Sequence, residues 1–407
     1  MIEVSSRIKK AFQSDSIYKR YFIYFPNIDS ERAGFNTISN SGIADDSIKI
    51  TENLNNEDQL HYGRCEGNMI EFEMGYTPFS LVGQIIDVYM ILADYDTEPF
   101  AIGRYVISEE KIENERLTKV LTAYDILSIL NNLDVSYWCY NTTFPTTIKQ
   151  LRNSILNYVG QNQVDKDLIN DDIIVVDNPW TGENDITFNR VISSICEWNA
   201  VFGGINRTGL FDYYKLTPID NTETYPSTGL FPSNSTFPKS IMEYAIPGTT
   251  DMNIYVIKDN DLAGHFSTED LIKAVTRFAQ AVYKVYYTPV KANVKMDLSL
   301  EVGDPITLTA SDGRRIPTFI LKRTASGGIV AFDEIEATGK EEFENEVSDK
   351  ATDEGMYDEL AEQLNDVDDR LTNVEEGGGI TILSVEALPE APKKNVLYLV
   401  QGNVYVR

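Results

Sequence analysis

The chain has 407 residues, 42% of them hydrophobic and 11% aromatic, a composition typical of folded protein and a length sufficient for roughly two to four domains. A formal net charge of −28 argues against ordinary nucleic-acid binding, because that affinity comes from lysine and arginine neutralising phosphates. No stretch approaches the roughly 18 uninterrupted apolar residues of a membrane span, and Met1–Lys10 is polar and basic. The sequence therefore predicts neither a signal peptide nor a transmembrane helix, and we expect synthesis in a cytoplasm.

Residues 1–108 predict a first β-barrel domain. Ile70, Phe72 and Met74 alternate with Glu71 and Glu73, which is the pattern of a strand with one buried and one solvent-exposed face. Turn residues such as those at 66–68 separate the predicted strands. A short helix is expected over 5–13, and strands over 18–25, 48–51, 59–65, 69–74, 85–93 and 100–108.

Residues 109–217 change to a helical period and predict an α+β domain. Helices are expected over 124–131, 146–159 and 187–202, the last with an apolar stripe that includes Phe188, Ile195 and Trp198. Strands are expected over 117–123 and 173–176, and a hairpin over 205–216 around Arg207-Thr208-Gly209.

Residues 218–339 return to the strand pattern and predict a second β-barrel domain with one helix. The helix opens at Ser267-Thr-Glu-Asp270, a capping box in which the serine side chain and the acid satisfy free amide groups. Strands are expected over 253–258, 285–287, 290–296, 305–310, 318–324 and 328–337. The fold class predicted for the body is thus β-rich, with an α+β domain between two barrel-like domains.

An acidic linker over 340–356 leads into a predicted coiled coil over 357–376. Apolar residues recur there at alternating spacings of three and four, with Tyr357, Leu364 and Leu371 at a, and Leu360, Val367 and Val374 at d. Leucine at a with valine at d favours three or more helices over two. Arg370 and Glu375 are placed for an ion pair between helices. The alternative is an amphipathic helix packed on the body of its own chain.

Gly377, Gly378 and Gly379 predict a flexible hinge before a small β unit over 380–407. Strands are expected there over 381–385, 396–400 and 404–407. A unit of about 28 residues is too small to hold a core alone. We therefore expect it to trimerise or to dock onto another protein.

No pattern in the sequence identifies a catalytic, cofactor-binding or metal site. His61 and Cys65 would share a strand face, but a zinc site takes four ligands and no second pair is suitably spaced. The odd, scattered set Cys65, Cys139 and Cys196 fits buried, reduced thiols. Tyr137-Trp138-Cys139-Tyr140 could line a carbohydrate site, although core or interface aromatics are the commoner use. We expect no enzyme activity and no cofactor.

A series of short motifs, taken in order, resembles phage tail hub proteins. Residues 53–73, then Ile102–Glu109 and Leu121–Asp125, resemble the opening β module of that family. Leu300–Asp304 with Arg323, Asp333 and Ile335 resembles its closing module, and 388–400 is similar to short β pieces of tail and fibre proteins. On these motifs the chain resembles the baseplate or tail-tip hub, the amino-terminal part of tail-associated lysins, of phages of Gram-positive hosts.

The resemblance implies a homotrimer in the virion, assembled in the host cytoplasm, in which two barrel-like tube domains per chain match three copies to a hexameric tail tube. It implies opening for DNA passage, and partners among tube, distal tail, tape-measure, and fibre, spike or receptor-binding proteins. Many relatives continue into a lytic domain, whereas this sequence ends at Arg407, so we expect a hub without its own enzyme. The alternatives are a receptor-binding or adaptor protein that recognises host glycan, and a degenerate tail lysin.

Overall fold

The structure is a computed structural model, which describes eighteen stretches of the chain. They are residues 12, 19–44, 46–56, 60–92, 99–113, 115, 117–219, 224–226, 253–257, 260–282, 285, 287–309, 313, 315–327, 332–338, 380–385, 396–400 and 403–406. The helix predicted over 5–13 lies outside these residues apart from residue 12.

The described part of the chain is β-rich, with few helices. Its strands are β1 (Lys19–Tyr24), β2 (Thr37–Ser39), β3 (Lys49–Asn53), β4 (Met69–Gly75), β5 (Ile85–Leu92), β6 (Phe100–Glu113), β7 (Thr118–Tyr124), β8 (Thr146–Thr147), β9 (Ile174–Val175), β10 (Phe202–Ile205), β11 (Phe211–Tyr214), β12 (Thr224–Pro226), β13 (Asn253–Ile257), β14 (Val290–Lys295), β15 (Pro305–Thr309), β16 (Arg315–Phe319), β17 (Lys322–Ser326), β18 (Phe332–Ala337), β19 (Ile380–Val385), β20 (Val396–Val400) and β21 (Asn403–Val406). Its α-helices are α1 (Ser30–Ala33), α2 (Ile126–Leu130), α3 (Ser136–Asn141), α4 (Ile148–Tyr158), α5 (Phe188–Trp198) and α6 (Thr268–Val282).

One ten-stranded antiparallel sheet takes strands from both the first and the last β region. Its spatial order is β14-β18-β17-β3-β4-β7-β6-β5-β1-β2. The two regions meet where β17 pairs with β3, with Thr324 opposite Thr51. The predicted boundary at residue 108 falls inside β6, which continues to Glu113 alongside β7. The division into two separate tube domains remains a prediction.

The strand predicted over 318–324 is two strands in two different sheets. β16 pairs with β15 in a three-stranded sheet, while β17 joins the ten-stranded one. At the crossing, Ile320 donates its amide to Asp304 O (3.0 Å) and Leu321 donates to Glu336 O (3.1 Å). The whole stretch suits a strand by composition, so its residues give no local signal of the change of partner.

The predicted helices of the α+β region form, each with the apolar stripe that buries it. Thr147 opens α4 with a complete capping box to Gln150, and Thr187 caps α5 by accepting from Arg190 N. α5 ends at Trp198, earlier than predicted, because Ala200 takes a positive φ of 52° and Phe202 already belongs to β10. The predicted strand over 59–65 is also wrong for the residues described there, since Gly63 turns the chain at φ 90°.

The last strands form a four-stranded sheet with a strand of the body. β19 pairs antiparallel with β13, Ile257 opposite Ile380, and parallel with β20, which pairs in turn with β21. The predicted C-terminal β unit is therefore seated on a strand of its own chain. Pairing with β13 supplies the additional strand that so small a unit needs.

Two apolar cores lie beneath these elements. The first is formed by the inward residues of β1 and β3–β7, such as Ile23, Phe72 and Val88. The second surrounds α4, α5 and α6 and extends under β14–β16, with Trp180, Trp198 and Phe278 buried in it. Across the part of the chain that the structure describes, no helix has both the length and the apolar character of a membrane span.

Candidate functional site

The residues predicted for oligomerisation all lie outside the described ranges. They are Tyr357, Leu360, Leu364, Val367, Leu371 and Val374, the ion pair Arg370 and Glu375, and the hinge Gly377, Gly378 and Gly379. Their roles stay predictions. The described residues instead bring together two joints between regions that are far apart in sequence.

The first joint, which we call the ionic joint, is built on a buried pair between β17 and β18. Arg323 and Asp333 are both fully buried, and the arginine donates to the carboxylate at 2.7 Å. Glu52 of β3 lies 3.4 Å from the same guanidinium. Burial lowers the pKa of Arg323, but the nearby carboxylates of Asp333 and Glu52 outweigh it and raise the pKa, so the side chain stays charged.

The guanidinium of Arg323 also holds the backbone of residues 297–300. It donates to Asp297 O at 2.8 Å and to Leu300 O, while Asp333 accepts from Asp297 N at 3.0 Å. These residues pass from one core to the other, because Leu298 packs in the first core and Leu300 in the second. One buried arginine therefore ties three strands to the segment that crosses between the cores.

Arg207 holds the same segment from the α+β region. It sits in the turn between β10 and β11 and donates to Leu298 O and, at 2.8 Å, to Leu300 O. Glu52 lies 3.5 Å from its guanidinium. Two arginines from different regions thus share one carboxylate and one stretch of backbone.

The second joint, which we call the packed joint, seats residues 63–68 against α5 and β10. Cys65 lies with its Sγ 3.9 Å from Cys196 Sγ, both side chains buried. A Cβ on Gly203 would come within 2.5 Å of Cys65 Sγ, and one on Gly63 within 2.7 Å of Ser193 O. The approach is possible only because both positions are glycine.

A buried carboxylate closes the far end of the packed joint. Asp125 caps α2, accepting from Leu127 N at 3.1 Å, and also accepts from Asn68 N at 2.8 Å. Burial raises the pKa of Asp125 to about 7, against the opposing effect of these backbone donors. Asp125 also lines a cavity of about 20 Å³ with Arg104, Arg207 and Glu301, a volume that suits a single water molecule.

The other residues singled out by sequence do not assemble into a site. His61 directly precedes the turn at Tyr62 and Gly63, and its Nδ1 is 3.0 Å from Tyr62 O. His265 contacts Asp177 at 2.7 Å. Among the described residues, no three histidine, cysteine, aspartate or glutamate side chains are grouped to hold a metal ion. A surface groove of about 440 Å³ runs between Lys166–Ile169 and Glu301–Asp304.

The aromatic run over 137–140 divides between core and surface. Trp138 and Cys139 are buried, and the indole donates to Ser154 Oγ at 3.0 Å. Tyr137 and Tyr140 remain 71% and 49% exposed, one helical turn apart on α3. Tyr140 anchors its hydroxyl on Glu183 O.

Sequence patterns missed both joints, although the ionic joint left a signal. Arg323 shares the parity of buried Ala325 on β17, and Asp333 shares that of buried Ile335 on β18. Opposite charges at inward positions of two consecutive strands indicate a buried ion pair. The packed joint joins segments about 130 residues apart, so no local pattern reports it.

Comparison with known proteins gives structural likenesses only. No family model matches the chain, and no curated protein matches it. A tail protein from Neisseria meningitidis MC58 aligns over 79% of this chain and 97% of its own, at 8% identity and a TM-score of 0.48. The 43 kDa tail protein of prophage MuSo2 from Shewanella oneidensis aligns over 79% and 97%, at 10% identity and a TM-score of 0.46.

A third similar structure is prophage tail protein gp18 from Listeria monocytogenes EGD-e, aligned over 79% of this chain and 95% of its own, at 11% identity and a TM-score of 0.42. All three are described as tail proteins. Because each TM-score is below 0.5, we base the functional proposal on the chain itself.

Proposed function

We propose that this chain is a structural subunit of a phage tail, and that three copies form a hub at its distal end. The observation that supports this most is the ten-stranded sheet, in which the first and last β regions pair through β3 and β17. One chain thereby holds two β regions in a fixed relation, with an α+β region between them in sequence. Three such chains offer six β regions to a six-fold tail tube, as the resemblance of its motifs implies.

In this proposal the hub adapts the tube to a three-fold tip, opens for DNA, and carries fibre, spike or receptor-binding components through its C-terminal part. It performs no catalysis of its own, and any lytic activity belongs to another protein of the particle. The net charge of −28 suits a wall past which DNA must move without binding.

The mass of the chain in solution tests the trimer. Light scattering across a dilution series should give three times the 45.9 kDa of one chain. A monomer at micromolar concentration would count against the proposal.

A variant lacking residues 357–376 tests the predicted coiled coil separately from the rest of the chain. Its six a and d side chains, at about 1.5–3 kcal/mol each, are enough to align three helices but not to hold the trimer alone, so we expect the variant to form weaker but persistent trimers. Trimers of undiminished affinity would show that the coiled coil does not contribute to oligomerisation.

A receptor-binding or adaptor role is the second candidate, and the exposed rings of Tyr137 and Tyr140 favour it. Two tyrosines one turn apart offer a flat apolar surface of the kind that aromatic side chains present to ligands. Binding of host cell-wall polysaccharide that disappears in Tyr137→Ala with Tyr140→Ala would support it. Binding that is absent from the wild type would exclude this candidate and leave the hub proposal untouched.

A further inference from the structure

The ten-stranded sheet has one side that faces away from the two cores, which we call the outer face. Its residues alternate with buried ones along β4, β7 and β18. Strand registers align them across the sheet. In one such row, Lys49 lies opposite Glu71, Glu71 opposite Thr122, and Thr122 opposite Glu109. The outer face is therefore one continuous surface from β14 to β1.

Charge on the outer face is balanced, in contrast to the chain as a whole. The formal net charge of the chain is −28. The described strands place as many bases as acids on this face, namely Arg20, Lys49, Arg104, Lys111, Lys291, Lys295 and Lys322 against Glu71, Glu73, Asp87, Glu109, Glu113, Glu334 and Glu336. Two copies of so acidic a chain repel each other over most of their surface, and least over this face.

The two signs are also separated along the outer face. A basic end spans β14, β18, β17 and β3, where four lysines stand against Glu334 and Glu336. An acidic middle spans β4, β7 and β6, where four glutamates stand against Lys111 and β7 contributes no outward charge. Arg104, the other outward base of β6, is paired at 2.6 Å with Asp87 of the adjacent β5. At about 4.8 Å per strand, the two centres lie roughly 17 Å apart. The distance between the two centres exceeds the screening length of about 10 Å at 0.1 M salt. The patches meet at their border, where Lys49 lies opposite Glu71.

The basic end lies at one of the two edges of the sheet. Among the described strands, β14 pairs with β18 alone, so it is an edge. Its Lys291 side chain is 48% exposed and reaches Glu334 at 2.8 Å on the neighbouring strand. Across the acidic middle, Lys111 is 76% exposed beside the 36% exposed Glu113. Both patches can therefore approach another molecule without a change in the sheet.

We propose that the basic end of one copy binds the acidic middle of the next copy. This rests on the proposed trimer and assigns its ring contact. Three copies cannot be related pairwise by a two-fold axis, so the contact must join two different surfaces. Such a head-to-tail contact closes into a three-membered ring when successive copies are related by a rotation of one third of a turn. A second copy fits the basic end better than DNA does. The formal net charge of the basic end is only +2, which is small for binding DNA, whereas the chain itself carries the complementary acidic patch.

Charge reversal tests the contact. Lys295→Glu with Lys322→Glu makes the basic end acidic, and Glu71→Lys with Glu109→Lys makes the acidic middle basic. Each double variant should raise the trimer dissociation constant at least tenfold at about 0.1 M salt, because like charges then meet across the contact. The quadruple variant should return it to within threefold of the wild type, since both partners are reversed together. Lys149→Glu with Lys273→Glu, outside the sheet, is the matched control and should leave it unchanged.

Recovery of assembly in the quadruple variant would separate an effect on docking from an effect on folding. The quadruple variant keeps every repulsion within one chain that the two double variants introduce, so a folding defect would persist in it. Circular dichroism of each variant checks that the sheet forms. If the wild type is a trimer and the double variants assemble with its affinity, this contact is wrong and the trimer stands. Double variants that lose assembly without repair in the quadruple variant would also overturn the contact. A wild type that is monomeric would instead contradict the hub proposal itself.

Discussion

The ionic joint and the packed joint connect the first β region to the rest of the chain in opposite ways. The ionic joint uses full-sized charged side chains, with Arg323 and Asp333 entirely buried. The packed joint depends on two residues that have no side chain, Gly63 and Gly203, which allow a close backbone approach. Removing one partner from a buried ion pair leaves a charge in a low-dielectric interior, whereas a close-packed contact has no space for an added atom. The first joint should therefore be sensitive to deletion and the second to addition.

The largest effect is expected from breaking the ionic joint on one side. Arg323→Met leaves Asp333 buried without the arginine's charge and removes the donor to Asp297 O, while Leu300 O keeps its hydrogen bond from Arg207. We expect the free energy of unfolding in denaturant to fall by about 3–5 kcal/mol.

Two controls separate the buried charge from packing at this joint. Arg323→Met combined with Asp333→Leu should recover most of the loss, because no charge then remains without a partner. Lys291→Met breaks the half-exposed pair with Glu334 and should cost less than about 1 kcal/mol. Equal losses at Arg323 and Lys291 would show that the ionic joint does not depend on burial.

The next effect is a pH dependence at the packed joint. The pKa of Asp125 is about 7 in the folded chain against 3.8 when unperturbed, so the folded state binds more protons between these values. Stability should therefore fall as pH rises from about 4 to about 7, by a few kcal/mol at about 1.4 kcal/mol per pKa unit. Thermal unfolding across this range would measure it.

Asp125→Asn should remove this fall, because asparagine can still cap α2 and carries no charge. Asp134→Asn is the matched control, since Asp134 also lies at the start of a helix but is exposed and its pKa is lowered by Ser136. An unchanged slope in Asp125→Asn would mean that another group causes the dependence.

The smallest effect tests the close approach itself. Gly203→Ala places a methyl group against Cys65 Sγ and Phe211, both inside 3 Å, and should cost about 1–3 kcal/mol of unfolding free energy. Gly75→Ala meets no atom within 4 Å and should be neutral or slightly stabilising. If the two variants unfold alike, the packed joint has room that its geometry does not indicate.

The sequence predicted the elements better than their partners. The apolar period of α4 and the alternation along β4 are local patterns, so both elements were expected with nearly their observed bounds. The change of sheet at Ile320 and Leu321 was not, because strand pairing is decided by contacts across the fold rather than by propensity. Gly63 illustrates the same limit, since its positive φ matters only where α5 packs against it.

The residues of the candidate site also differ in whether local sequence patterns or distant contacts determine their roles. A heptad pattern identifies its own a and d positions, so the roles of Leu364 and Leu371 follow from local sequence. They stay predictions, because both residues lie outside the described ranges. Arg207 gains its role from a backbone segment about 90 residues away in sequence. Arg323 gains its role from Asp333 on the neighbouring strand. Only the pair on neighbouring strands can be recognised from the sequence, because both residues occupy inward positions of their strands.

An image of an intact tail that contains this chain would test the proposed hub without any assumption about its behaviour in solution. We expect three copies around the tail axis at the distal end of the tube, with the first and last β regions of each copy alternating beneath six tube subunits. Six copies per ring, or a position along the tube or at the head-proximal end, would contradict it.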